Sequence, residues 1–323
     1  MLTKWGDEDL AKQVRESREK ALAASSATAG GFLVPEQFST DIIAFRRAAV
    51  VIRRMGPREI PMPTGTMNVP KITAGASASY VGENVNAPKT QPAFGQVKLT
   101  YKKLVALVPF SNDLLRYSSP SADAVVRDDL VRAMAVAEDS NFLRGDGTAS
   151  GPKGIRFWTP AANLIAAQAA SLANVTQDLG KLIVQLMNNN VPMTRPGWLM
   201  APRSWNYLMT IQTANGVFAF RDEMVGGKLW GWPYALTTSV PINLTVGANS
   251  DTSEVYLTDF DDAVIGDSQR LVVDVSQEAA YYDGASLVAA FSQDQTVVRT
   301  IAEHDFAMRD SNAVAILTGV RWI

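Results

Sequence analysis

The chain has no cysteine and a single histidine in 323 residues. Disulfide frameworks, thiolate zinc sites, iron–sulfur clusters and cysteine nucleophiles are excluded by that count. A histidine-based triad would have to use His304, and no GxSxG elbow accompanies it. An excess of charge is missing too: 30 Lys+Arg stand against 32 Asp+Glu, a formal net charge of -2. No global basic field draws the chain to nucleic acid, so any partner must be recognised locally. No apolar run reaches the roughly 18 residues that a membrane span needs. Lys4, Asp7, Glu8, Asp9 and Lys12 stand where a secretory signal would place its apolar core, so a soluble chain not exported by that route is expected.

What is present is apolar mass, 47% hydrophobic residues, enough for one large domain or two ordinary ones. Residues 4–22 carry Glu8/Lys12 and Glu16/Lys20 at helical spacing with few apolar residues, the pattern of a solvated helix or a tail. ALAASSATAGG then suits a flexible joint, and the proline-rich stretch to Pro63 resembles an arm with two basic pairs, Arg46/Arg47 and Arg53/Arg54. Residues 66–110 carry strand signals around the polar span GENVNAPKTQPAFG. They predict a long two-stranded excursion with little core of its own, which must find burial elsewhere.

Ser119-Pro120 opens a predicted helix with an apolar stripe of Val125, Val126, Leu130, Ala133, Met134 and Ala137, its other face bearing Arg127, Asp128, Asp129, Arg132, Glu138 and Asp139. The string RGDG ends it. GIRFW has the look of a short strand, and Thr176 that of the N-cap of an amphipathic helix through Met187. Alternating strands and short helices follow, and TVVRTIAEHDFAMRD with AVAILTGVRWI predicts a terminal hairpin.

Motifs that carry chemistry are weak. GDGTASG at 145–151 follows a helix and lacks nucleotide-loop spacing, so it reads as a helix stop. Asp259, Asp261, Asp262 and Asp267 lack the spacing of a calcium loop. Trp230 and Trp232 suit packing better than a ligand platform. The expectation is a non-enzyme of α+β class with no catalytic, cofactor or metal residues, whose arm, hairpin and long helix ask for partners.

GGFLVP at 30–35, KKLVALVPFSNDLLRYSSPSADAVVRDDL at 102–130, AEDSNFLRGDGTASGPKGI at 137–155, GWLMAPRSWNYL at 197–208 and AFSQDQTVVRTIAEHDFAMRDSNAVAILTGV at 290–320 occur in an order that resembles the major capsid proteins of tailed bacteriophages, with the Hong Kong-type capsid fold. The resemblance implies a segment 1–29, an N-terminal arm 30–60, an extended E-loop 61–106, a peripheral domain 107–175 and 286–323 with a spine helix 119–144, and an axial domain 176–285. It implies self-assembly as pentamers and hexamers into an icosahedral shell around double-stranded DNA, without sequence-specific binding or a membrane. Scaffolding, portal and decoration proteins are the further partners implied, and the virion capsid, assembled in the host cytoplasm, is the implied location. An encapsulin-type nanocompartment shell is the neighbouring alternative, and a hydrolase using His304 a more distant one.

Some capsid relatives join an E-loop lysine to a neighbour's asparagine with help from a glutamate. Here Glu303 falls at the glutamate's place, but Thr296 stands where the asparagine should be, leaving Lys71 and Lys89 without an evident acceptor. A shell without covalent cross-links is expected. Arg53, Arg54, Glu83, Lys89 and Asp128 are candidate inter-subunit contacts.

Overall fold

The computed structural model describes residues 51–83, 86, 89–117, 121–148 and 150–322. The expectations for residues 4–22, for the joint that follows and for Arg46 and Arg47 lie outside these residues. In chain order the strands are β1 (Arg58–Pro61), β2 (Thr66–Ala74), β3 (Ala93–Thr100), β4 (Lys102–Ser111), β5 (Leu164–Ala166), β6 (Pro196–Met200), β7 (Lys228–Leu229), β8 (Trp232–Leu236), β9 (Leu244–Val246), β10 (Asn249–Asp259), β11 (Ala263–Ser276), β12 (Ala280–Tyr282), β13 (Leu287–Ala289), β14 (Gln295–Met308) and β15 (Val314–Val320). The helices are α1 (Asn112–Tyr117), α2 (Ser121–Arg144), α3 (Ile155–Trp158), α4 (Leu172–Asn188), α5 (Pro202–Thr210) and α6 (Arg221–Val225).

The larger sheet runs β5-β15-β10-β6-β8-β7, with β9 beside β10. Its centre is apolar on both faces: Trp198, Leu199, Met200, Val255, Leu257, Ile316 and Leu317 are all fully buried. Continuous apolar runs of this kind need cover on two sides. Helix α4 supplies some of it, with Val175, Leu179, Leu182 and Leu186 buried at helical spacing. Its N-cap is Ser171, whose hydroxyl accepts from the Asn174 N–H at 3.3 Å. Thr176 is therefore not the cap: its hydroxyl turns back to the carbonyl of Leu172 at 2.8 Å.

The smaller sheet runs β1-β11-β14-β4, and α2, the predicted long helix, lies by it with Leu130, Met134 and Phe142 buried. Here the terminal hairpin expected from sequence is corrected. Strand β14 pairs with β11 and β4, whereas β15 pairs with β10 and β5 in the other sheet. An isolated hairpin could not cover Val314, Ala315, Ile316 and Leu317, all 0% exposed, so these residues go to the interior of a wide sheet. GIRFW is likewise helical rather than a strand, because the N–H groups of Phe157 and Trp158 both bond to the carbonyl of Gly154. Four residues, three of them apolar, are too few for periodicity to separate the two states.

A buried carboxylate ties the larger sheet to helices α2 and α3. Glu254 on β10, 3% exposed, receives Arg144 from the end of α2, Arg156 from α3 at 3.0 Å, and the hydroxyl of Tyr256. The loop between α2 and α3 runs from the GDGTASG string on to Gly154, where glycine serves packing. A Cβ on Gly154 would lie 2.6 Å from the Asn141 carbonyl and 2.8 Å from the Arg144 nitrogen.

Candidate assembly surface

Strands β2 and β3 form the predicted hairpin, in register from Thr66↔Thr100 outward to Ala74↔Ala93. Its base is packed: Val97 and Leu99 are buried with Met62, Val264 and Ala307. Toward the tip that packing stops. Ile72 and Phe94 face each other across the two strands, 66% and 72% exposed, and Tyr80 beyond them is fully exposed. The strand signal QVKLTYKKLVALVPF is divided at Tyr101, whose N–H bonds to the Gly65 carbonyl at 2.8 Å. Residues before it belong to the hairpin and residues after it to the smaller sheet.

The chain enters this region through an anchor. The carboxylate of Asp139, 2% exposed, accepts from the N–H groups of Val51 and Ile52 at 3.2 and 2.7 Å. Burial raises its proton affinity, and these two hydrogen bonds work against that rise. Beside it the Arg53 guanidinium reaches Glu138 at 2.6 Å, Glu59 at 2.9 Å and Asp267 at 2.8 and 3.0 Å. A helix, a strand start and a long strand are thus joined by one planar cation.

Of the sequence candidates for subunit contact, Arg53 is committed to this cluster within its own chain. Arg54, Glu83, Lys89 and Asp128 are exposed and form no ion pair among the described residues. Asp128 is on α2 and Glu83 and Lys89 lie on the hairpin's connecting segment, so the four do not form one cluster along the chain. Glu303 lies within 4.0 Å of Lys103, and Thr296 is 5% exposed with its hydroxyl against Asn112 Oδ1.

His304 is 4% exposed, edge-on to the Phe142 ring at 5.1 Å, and burial lowers its proton affinity. Its side chain makes no hydrogen bond to a hydroxyl nucleophile among the described residues. The four aspartates considered for calcium have other work. Asp259 accepts from the N–H groups of Thr194 and Arg195, Asp262 pairs with Arg309 at 3.0 Å, and Asp267 with Arg53. Asp261 donates its own N–H to Asp259. Trp232 packs on Trp198, whose indole bonds to the Leu229 carbonyl at 2.9 Å. Among the described residues no three His, Asp or Glu side chains are placed to hold a metal ion, and no helix is long and apolar enough to cross a membrane.

Sequence reasoning misses the Asp139 anchor, because the helical period puts this residue on the charged face of α2. Nothing in a 3.6-residue period distinguishes a carboxylate that faces water from one that faces buried amides. It also did not single out Ile72 and Phe94, although isolated apolar residues in a hairpin without a core were the available signal.

Comparison with known proteins agrees with this architecture. Residues 30–319 match the phage capsid family. The major capsid protein of Klebsiella oxytoca phage phiKO2 is 35% identical over 302 residues, covering 92% of this chain and 70% of the relative. A capsid polyprotein of Pseudomonas phage PAJU2 is 29% identical, with 96% of this chain matched to 48% of its length. Among solved structures, the capsid of a native GTA particle matches 93% of this chain and all of its own at a TM-score of 0.74 and 18% identity. A structure from Mycobacterium phage Adephagia does so over 92% and 98%, also at 0.74.

Proposed function

Because the chain belongs to the phage capsid family and is a structural protein of the capsid, not an enzyme, we propose that its copies form pentamers and hexamers that close into an icosahedral shell around double-stranded DNA, without covalent cross-links. The observation that carries this reading is the β2–β3 hairpin. Its base is buried, while Ile72, Tyr80 and Phe94 stand in solvent at 66%, 109% and 72% exposure. Apolar groups grouped on a projecting element gain burial only from another molecule. Repeated modest contacts of this kind sum to a stable closed assembly.

On this reading residues 30–60 are the arm, 61–106 the E-loop, 107–175 with 286–323 the peripheral domain and 176–285 the axial domain. Strands β5 and β15 then cross, since they belong by chain position to the peripheral domain and by hydrogen bonds to the sheet of the axial domain, and β11 crosses the other way to pair with β14. Arg54, Glu83, Lys89 and Asp128 set register between copies rather than supply most of the stability, as exposed charges do. Portal, scaffolding and decoration proteins are the further partners, host cytoplasm the place of assembly, and the near-neutral charge fits an inner wall that does not grip DNA.

The absence of cross-links is supported by Thr296, which offers no carboxamide and is 5% exposed. Electron microscopy and sedimentation of the protein from expressing cells test the assembly. Capsomer rings or closed shells are expected, with DNA and not an enzyme cargo inside shells from infected cells. A monomer that stays monomeric with its scaffold supplied would overturn the reading.

A further inference from the structure

A cleft of about 370 Å³ opens beside His304. Its polar lining is Arg53, Glu59, Glu138, Asp267 and His304, and Leu104, Val131 and Leu271 are among its apolar walls. One guanidinium against three carboxylates leaves this lining two negative charges in excess. Arg53 gives its Nε to Glu138 Oε1, Nη1 to Glu59 Oε1 and Asp267 Oδ2, and Nη2 to Asp267 Oδ1. Glu59 Oε2 and Glu138 Oε2 are left without a donor among the described residues.

His304 adds an independent sign of a missing partner. It is 4% exposed and lines the cleft, yet neither ring nitrogen has a hydrogen bond among the described residues. Burial lowers its proton affinity, which favours the neutral imidazole and its acceptor nitrogen. The ring nitrogens are not among the fully buried atoms that lack a partner, so solvent reaches them and a donor entering the cleft can take its place. The groups here are not arranged to hold a metal ion. What fits is a cation with several N–H donors on an aliphatic stem, whose methylenes suit the apolar walls while its head meets the carboxylates.

We propose that in the assembled shell this cleft receives a lysine or arginine side chain from a second copy of the chain. The inference rests on the shell reading. It deepens it by naming an acceptor surface between α2, β11 and β14. Charge complementarity favours this occupant: the cleft is acidic in a chain of net charge -2 with 30 lysines and arginines, and exposed basic residues such as Arg54 and Lys89 have no ion pair among the described residues.

Val131, 40% exposed at the cleft, allows a test that leaves the Arg53 cluster untouched. Val131→Lys supplies an ammonium from the chain itself, and Val131→Met supplies similar length without charge. Assembly is followed by light scattering against protein concentration, with the thermal midpoint of the unassembled subunit measured alongside. Val131→Lys is expected to raise the concentration needed for half-assembly by about tenfold or more, since loss of a desolvated charge pair is at least that large. Val131→Met is expected to assemble within about threefold of the unmodified chain. Equal behaviour of the two variants, both assembling or both failing, would overturn the inference.

Should Val131→Lys lower the thermal midpoint, electron cryomicroscopy of unmodified shells decides instead. Density for a neighbour's basic side chain in the cleft is expected. A solvent-filled cleft, or another occupant, overturns this inference alone, whereas no particles at all overturns the shell reading with it.

Discussion

Arg53 and Asp267, 214 residues apart in sequence, meet through a pair of hydrogen bonds of 2.8 and 3.0 Å. The same guanidinium holds Glu59 and Glu138, so one side chain links the residues just before β1 to β1, α2 and β11. Arg53→Ala is expected to destabilise the subunit by about 1–3 kcal/mol, because it leaves three carboxylates facing one another. Arg53→Lys is expected to recover little of it, since an ammonium cannot bridge all three in a plane. Chemical denaturation of the unassembled subunit measures both.

His304 gives a pH dependence of definite sign. Its folded-state proton affinity is lowered below the ordinary value of 6.5, chiefly by burial. The unfolded chain therefore binds the proton more readily, and stability falls as pH drops through about 6.5 until the folded histidine titrates too. His304→Gln is expected to flatten the change in thermal midpoint between about pH 5 and 7. An unchanged slope would show that the histidine titrates alike in both states.

The two ends of the hairpin are expected to respond differently. Leu99 is fully buried with Met62 and Val264, so Leu99→Ala should cost about 2–4 kcal/mol of subunit stability. Phe94 is 72% exposed, and Phe94→Ser should leave subunit melting within about 0.5 kcal/mol while weakening assembly. Melting curves paired with light scattering separate the effects.

Much of this was legible beforehand. Alternation along Val97 and Leu99 foretold the hairpin strand, and the spacing of Leu179, Leu182 and Leu186 foretold α4. What was not legible was partner choice. The local patterns of β14 and β15 are both strand patterns, and only the need to cover Val314 to Leu317 on two faces sends them to separate sheets. The Asp139 anchor was invisible for a related reason: its partners are backbone N–H groups 87 and 88 residues away. Among the chosen contact residues, Arg53 went to its own chain because three carboxylates from distant segments converge on it.

Boiled particles run on denaturing gels are expected to give a single band at the mass of one subunit. Thr296 offers a hydroxyl where amide transfer needs a carboxamide. A ladder of covalent multimers would contradict this and would direct attention to Asn112, the carboxamide that does lie against Thr296.

The most direct measurement is amide hydrogen exchange across residues 66–74 and 93–100 in assembled particles and in dissociated subunits. A two-stranded element with an exposed apolar outer half opens readily when alone. Seated on a neighbour, it should open far less often. Slowing by about tenfold or more around Ile72 and Phe94 on assembly, with little change around Leu99, is the predicted result. Equal exchange in the two states would contradict the claim that this hairpin finds its burial on another copy of the chain.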